Sequence, residues 1–305
     1  MELRLLRYFV TVAEEMHFGR AAARLAMTQP PLSQAIRALE ESLGVALFVR
    51  TKRSVELTPV GKDLLPDVRR LLAQADALRP LAQSLARGEA GVLSLAFVST
   101  ADYGLLPALL REFGARYPGV RLQLTEATSD VQIEELVAGR IDAGLVIPPL
   151  PPRHAMSLEY LPIAREPLVI AMSADQAAAL NPDEDSAVDL HELASAPLVI
   201  FPRRLAPGLY DMIMGCYGAA GLTPRIGQEA IQMQTIVSLV SAGMGVALVP
   251  QSLRHLRRTG VVYRPLLGAG PIVETGLVWR AAEVSPVLAG FIDIVRSRAA
   301  AAIAL

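Results

Sequence analysis

Three groups of side chains in this sequence have the types and spacing to do chemistry. Ser33, Gln34 and Arg37 fall outside the apolar stripe drawn by Leu32, Ile36, Leu39 and Leu43, and Gln29 stands one turn before Ser33. Amide, hydroxyl and guanidinium groups presented this way are the donors and acceptors that read base edges in a major groove. Arg50, Lys52 and Arg53 cluster inside Leu47–Thr58, which has the pattern of a β-hairpin with a basic tip. A wing of that kind contacts phosphates or a minor groove. The third group is Ser99-Thr100 and Thr128-Ser129, each following a strand pattern and preceding a helical one. Hydroxyl-bearing helix starts at the ends of neighbouring parallel strands make a cleft for an anion or polar ligand. Simple helix capping is the competing reading, and Ser129 with Gln132 has capping-box spacing.

Catalytic, cofactor and metal constellations are not expected. The four histidines, His17, His154, His191 and His255, lack metal-ligand spacing. Ala242-Gly243-Met244-Gly245-Val246 is only a fragment of a nucleotide-binding glycine motif. Cys216 sits among apolar neighbours and reads as inert core, and Asp183–Asp185 as a solvated loop. A single cysteine excludes a disulfide scaffold and suggests a reducing compartment. With no apolar run near the ~18 residues that span a bilayer and no signal-peptide pattern, the expected location is the cytoplasm.

The elements that must position these groups follow from periodicity. Leu5, Phe9, Val12 and Met16 predict a helix over residues 3–16, and residues 19–26 a second, short one. Thr28 is the expected N-cap of a third, with Pro30 and Pro31 in its first turn and Gly44 at its end. Two such helices joined by a tight turn predict a helix-turn-helix, against the alternative of a small bundle with a solvated polar face. Charge supports the first. The whole chain carries 29 Lys+Arg against 30 Asp+Glu, but residues 1–87 hold 13 against 9 (+4), and residues 88–305 hold 16 against 21 (−5). Local charge, not the average, governs contact with phosphates.

Leu64, Val68, Leu71, Ala75, Leu78, Ala82 and Leu85 form an a/d seam over about three heptads. A helix from Thr58-Pro59 to Gly88, bent at Pro66 and Pro80, is expected to dimerise along it; packing on its own domain is the alternative. From Gly91 the pattern alternates strands (Val92–Val98, Val120–Glu126, Ile141–Ile147, Leu168–Met172, Leu198–Phe201, Val246–Val249) with helices (Leu105–Tyr117, Val131–Ala138, Leu209–Ala219, Ile231–Ala242, Pro286–Ala300). This predicts an α/β domain with largely parallel sheets, long enough for two subdomains. Crossings are expected at Pro148–Pro152, Pro162 and Pro265.

Specific motifs sharpen the picture: Leu5-Leu6-Arg7-Tyr8-Phe9, Ala21-Ala22-Ala23-Arg24-Leu25, Thr28-Gln29-Pro30-Pro31-Leu32-Ser33, Ile36-Arg37-Ala38-Leu39-Glu40, Leu43-Gly44-Val45-Ala46-Leu47-Phe48 and Leu57-Thr58-Pro59-Val60-Gly61. Through them residues 1–65 resemble the winged helix-turn-helix of LysR-type transcriptional regulators, with the spelling of the branch controlling aromatic-compound catabolism. Tyr103–Val146 and Val237–Leu253 resemble the same family's effector domain, itself similar to periplasmic binding proteins.

The resemblance implies an α/β protein with an N-terminal winged helix-turn-helix (1–58), a linker helix (59–89) and an effector domain (90–305). Subdomain I would cover about 90–162 and 266–305, and subdomain II about 163–265. It implies DNA contacts at Gln29, Pro30, Ser33, residue 34 and the Arg50, Lys52, Arg53 wing; Thr28, Pro31 and Arg37 are further candidates from the helix pattern. Residue 34 is often Arg in the family and is Gln34 here. It implies effector contacts at Ser99, Thr128, Phe201, Pro202 and Arg203; Thr100, beside Ser99, and Ile147, in the apolar run after Gly144, are further candidates from the residues themselves. Aromatic-responsive relatives can carry an Arg soon after Asp142-Ala143-Gly144, where this chain continues Leu145-Val146-Ile147-Pro148-Pro149, so Arg203 or Arg204 is expected to compensate. The expected ligand is a small organic effector, aromatic-derived or a carboxylate, with at most one acidic group. Expected partners are inverted-repeat promoter DNA, RNA polymerase and other copies of the chain, as a homodimer or homotetramer, with no membrane. An effector-independent DNA binder and an enzyme with an appended DNA-binding domain are the rival readings.

Overall fold

The computed structural model describes residues 2–50, 54–154, 156–180, 186–268 and 270–303, which fall into two compact units, Met1–Gln83 and Ser84–Leu305. The expected wing-tip residues Lys52 and Arg53, and the Asp183–Asp185 loop, lie outside the described residues.

In the first unit, α1 (Leu3–Glu15), α2 (Phe18–Arg24) and α3 (Gln29–Leu43) precede a hairpin of β1 (Phe48–Arg50) and β2 (Val55–Leu57), then α4 (Pro59–Ala86). The helical spacing of Leu6, Phe9 and Val12 buries one side of α1 against Leu32, Ile36 and Leu39 of α3. Phe48 of the hairpin meets Phe9 and Phe18 edge-to-face, with ring centres 5.5 and 5.9 Å apart. His17 caps α2: its Nδ1 accepts the Gly19 and Arg20 amides at 3.0 and 3.2 Å. Thr28 occupies the N-cap position of α3 in extended conformation but makes no side-chain capping bond. With prolines in the first turn, fewer N–H groups there need an acceptor.

Glu40 ties the hairpin to α3. Its carboxylate accepts the Leu47 and Phe48 amides at 2.8 and 3.0 Å and the Arg50 guanidinium at 2.7 Å. Arg50 also stacks over the Phe18 ring, 4.9 Å from its centre. Arg50, expected as a free phosphate contact, is therefore engaged inside its own domain. Thr58 starts α4, accepting the Gly61 amide at 2.9 Å while donating to the Ala46 carbonyl at 2.9 Å. Gly61 is required there: a β-carbon would fall 2.3 Å from the Leu47 carbonyl oxygen.

The 28 residues of α4 run through Pro66 and Pro80 without a break, a length of about 42 Å. Its expected seam divides in two. Leu64 and Val68, with Leu72, pack into the core of their own unit, which corrects their assignment to a dimer contact. Leu71, Leu78, Leu81 and Leu85 are exposed, Leu78 by 64%; Ala75 is half-buried.

In the second unit β3 (Ala90–Phe97), α5 (Ser99–Asp102), α6 (Leu105–Arg116), β4 (Gly119–Glu126), α7 (Ser129–Val137) and β5 (Ala143–Val146) come first. They are followed by β6 (Leu158–Ser173), α8 (Ala174–Leu180), β7 (Leu198–Ile200), α9 (Pro207–Ala219) and β8 (Ile226–Glu229). The unit ends with α10 (Met233–Ser241), β9 (Ala247–Pro250), β10 (Val261–Pro265), β11 (Ile272–Arg280) and α11 (Pro286–Ile303).

Among the described residues one sheet runs β10-β6-β11-β5-β3-β4 with β9 also on β6, and β7-β8 form a second. Only β3–β4, β3–β5 and β7–β8 are parallel strand pairs; β6 pairs antiparallel with β9, β10 and β11, and β11 with β5. The expectation of largely parallel sheets is corrected, because β6 and β11 are long return strands, not parts of right-handed crossovers. Pro162, expected at a crossing, lies inside β6, where the register slips opposite Thr275/Gly276.

Two cores result. Leu93, Leu95, Phe113, Leu145 and Phe291 belong to one, and Ile170, Ile200, Ile213, Val237 and Val249 to the other. Both β6 and β11 feed both: Ile163 and Leu277 lie in the first core, Ile170 and Val273 in the second. Ile147 packs against each.

Two substitutions test the reading-head framework in urea denaturation. Gly61→Ala should cost about 1–3 kcal/mol by overpacking against Leu47. Arg50→Ala should cost about 1.5–3 kcal/mol, the range for a hydrogen bond to a charged group, and should leave the salt dependence of DNA binding unchanged.

Candidate functional site

The polar face of α3 is built by default. Once Leu32, Ile36 and Leu39 are buried, helical geometry turns Gln29, Pro30, Pro31, Gln34 and Arg37 to the solvent side, with Thr28 just before them and Ser33 half-buried. The Gln29, Ser33, Gln34 and Arg37 side chains make no hydrogen bond to other described residues, leaving their donors and acceptors open.

The second unit holds a cavity of about 170 Å³ where the C-terminal ends of β3, β4 and β5 meet elements of the other core. Ser99, Thr100, Thr128, Ile147 and Phe201 line it as expected from sequence. The N-termini of α7, α9 and α10 also converge there, and none of their N-cap residues, Thr128, Ala206 and Gln232, makes a side-chain capping bond. Three helix starts thus direct partial positive charge at one space. Thr100 is 5% exposed, and its hydroxyl has no hydrogen-bond partner.

Several expectations fail here. Ser129 and Gln132 do not form a capping box: Ser129 Oγ accepts the Ile147 amide at 3.1 Å, and Gln132 Nε2 donates to the Ala127 carbonyl at 2.8 Å. Gly144 makes room for that buried amide, since a β-carbon would lie 2.6 Å from Gln132 Oε1. Pro202 and Arg203 are absent from the cavity wall. The Arg203 guanidinium forms two 2.7 Å bonds to Asp211, which hold the Asp211 carboxyl below its usual range. Arg204 does not line the wall either.

The charged side chains on that wall are Glu126 and Asp130, neither singled out from sequence. Partial burial, and then the nearby Asp102 charge, raise the Glu126 carboxyl above the ordinary range. Its position as the last residue of β4, paired with Phe97 two residues before Ser99, was the available signal. Gly208, also on the wall, could not be found that way: a β-carbon there would meet Pro149 Cδ at 2.7 Å and the Pro148 carbonyl oxygen at 2.9 Å. The first turn of α9 therefore closes on the Pro148-Pro149 segment.

Other candidate groups have local roles. His191 Nδ1 lies 2.8 Å from Asp189, and His255 Nδ1 lies 2.8 Å from the Tyr103 carbonyl. Half-buried Cys216 donates to the Met212 carbonyl at 3.3 Å, and burial pushes its thiol up. Among the described residues no group of three or more His, Cys, Asp or Glu is placed to hold a metal, and no helix is long and apolar enough to cross a membrane.

Comparison with known proteins matches both units to one family. Residues 3–62 match the family model for bacterial regulatory helix-turn-helix proteins of the lysR family, and residues 86–300 the LysR substrate binding domain. The chain is 52% identical over 295 residues to the HTH-type transcriptional regulator IlvR of Caulobacter vibrioides, covering 97% of each chain. It is 41% identical over 295 residues to the HTH-type transcriptional regulator AlsR of Bacillus subtilis, covering 96% of this chain and 95% of that one. Among solved structures it resembles full-length CbnR in complex with its target DNA, with a TM-score of 0.78 and 33% identity, covering 98% of this chain and 100% of that one. The chain belongs to the LysR family: it is a DNA-binding transcriptional regulator with an α/β substrate-binding effector domain.

Proposed function

We propose that this regulator is switched by a small organic effector held in the cavity bounded by Ser99, Thr100, Thr128, Ile147 and Phe201. The observation that carries the reading is the meeting of three uncapped helix N-termini and the unpartnered Thr100 hydroxyl in one largely apolar space between two cores. An effector bound there interacts with both subdomains, about 90–162 with 266–305 and 163–265, and biases their closure. DNA is read through Thr28, Gln29, Pro30, Pro31, Ser33, Gln34 and Arg37, with Lys52 and Arg53 on the wing.

The exposed leucines of α4 pair protomers as a dimer, or as a tetramer of two dimers, so that two reading heads meet an inverted repeat. Effector-dependent spacing of the heads changes the DNA bend that RNA polymerase encounters. The protein acts in the cytoplasm as a regulator, not an enzyme. The cavity admits an apolar body, aromatic-derived or aliphatic, with one carboxylate. Arg203 is not part of the binding set.

A thermal-shift screen of small organic acids tests the cleft: a ligand at ~100-fold excess over its Kd should add ~2.7 kcal/mol. Thr128→Ala should weaken that ligand at least tenfold, and Arg203→Ala should leave it unchanged. A protein that regulates without an effector would show no shift with any compound. In sedimentation, Leu78→Glu should lower the assembly mass at a concentration where the parent is dimeric or larger. Gln34→Ala should relax preference at one base pair by about 1–3 kcal/mol, measured against operator variants.

A further inference from the structure

The cleft offers charge of two signs from two sources. Its positive side is backbone: the starts of α7, α9 and α10, helices of nine, 13 and nine residues, with no side-chain caps. Its negative side is Glu126, whose carboxyl is raised by partial burial and by Asp102; Asp130 stands in the first turn of α7, and no lysine or arginine stands on the described wall. The wall also carries Ile133, Ile147, Phe201 and Met233. A simple carboxylic acid would satisfy the helix starts but leave the acidic end uncompensated. A simple amine would do the reverse. A molecule with both charged groups on one carbon and an apolar substituent satisfies all three surfaces, and the buried Thr100 hydroxyl adds a hydrogen-bonding group for its polar head.

Building on the effector reading above, we infer that the ligand is an α-amino acid with an apolar side chain. Its carboxylate is met by the helix N-termini, its ammonium faces Glu126, and its side chain lies on Ile147 and Phe201. Glu126 is then the residue that separates the amino acid from its 2-oxo acid, which keeps the carboxylate and the apolar body but lacks the ammonium.

Calorimetry on the full-length protein decides this. The probes are L-isoleucine, L-leucine and L-valine, their 2-oxo acids and their methyl esters. At least one amino acid should bind, with its 2-oxo acid and its methyl ester each at least tenfold weaker. Glu126→Gln should erase the preference over the 2-oxo acid while the methyl ester stays weak; Glu126→Ala serves as a second variant if Glu126→Gln does not fold. A 2-oxo acid that binds as tightly as its amino acid, or no binding by any amino acid, overturns the inference. If the latter coincides with a Thr128→Ala-sensitive response to another compound, the effector cleft stands and only the zwitterion is rejected. If no compound of any class responds, the cleft reading fails as well.

Discussion

The first four N–H groups of an α-helix have no acceptor within their own helix, and the way this chain meets that deficit separates its framework from its cleft. At the starts of α2, α3 and α4 the deficit is reduced locally. His17 accepts two amides at the start of α2, Thr58 accepts one at the start of α4, and prolines remove donors at the start of α3. At α7, α9 and α10 no side chain performs that task, and all three starts open on one cavity. Pro207 removes one donor at the start of α9 as well.

Around those helix starts, long-range packing supplies the stiffness. Glu40 fixes the hairpin to α3 through two backbone amides and one guanidinium, so the wing's orientation relative to the reading helix rests on one carboxylate. In the effector unit, β6 and β11 pass through both cores as continuous strands. Ile147 packs against both cores and is present on the cavity wall.

The electrostatics of the cleft differ from a simple anion site. Arginine is nearby in sequence at positions 203 and 204, yet Arg203 is held by Asp211 away from the wall. Backbone dipoles are left to supply positive potential in a space whose charged side chains are acidic. Dipoles from helix ends fall off within about a turn, so the positive potential they supply is confined to the helix-start side of the space.

Local features were legible in the sequence. The 3.6-residue spacing of Leu32, Ile36 and Leu39 determined which side of α3 is buried and therefore which residues stay open. Gly44 and Pro59 marked helix ends, the alternation after Gly91 marked an α/β domain, and hydroxyls at Ser99 and Thr128 marked two helix starts. What tertiary structure decided were matters of partner choice. Arg50 looks like any basic wing residue until Glu40 and Phe18 are brought to it. Leu64 and Val68 share a heptad register with Leu78, but only Leu78 lacks a surface of its own chain to cover. Strand direction in β6 and β11, the removal of Arg203 from the wall and the arrival of Glu126 on it all depend on residues far apart in sequence. The physical reason is common to them: periodicity encodes which face of an element is apolar, whereas an identical charged or apolar group is neutralised or left open only by what the fold places against it.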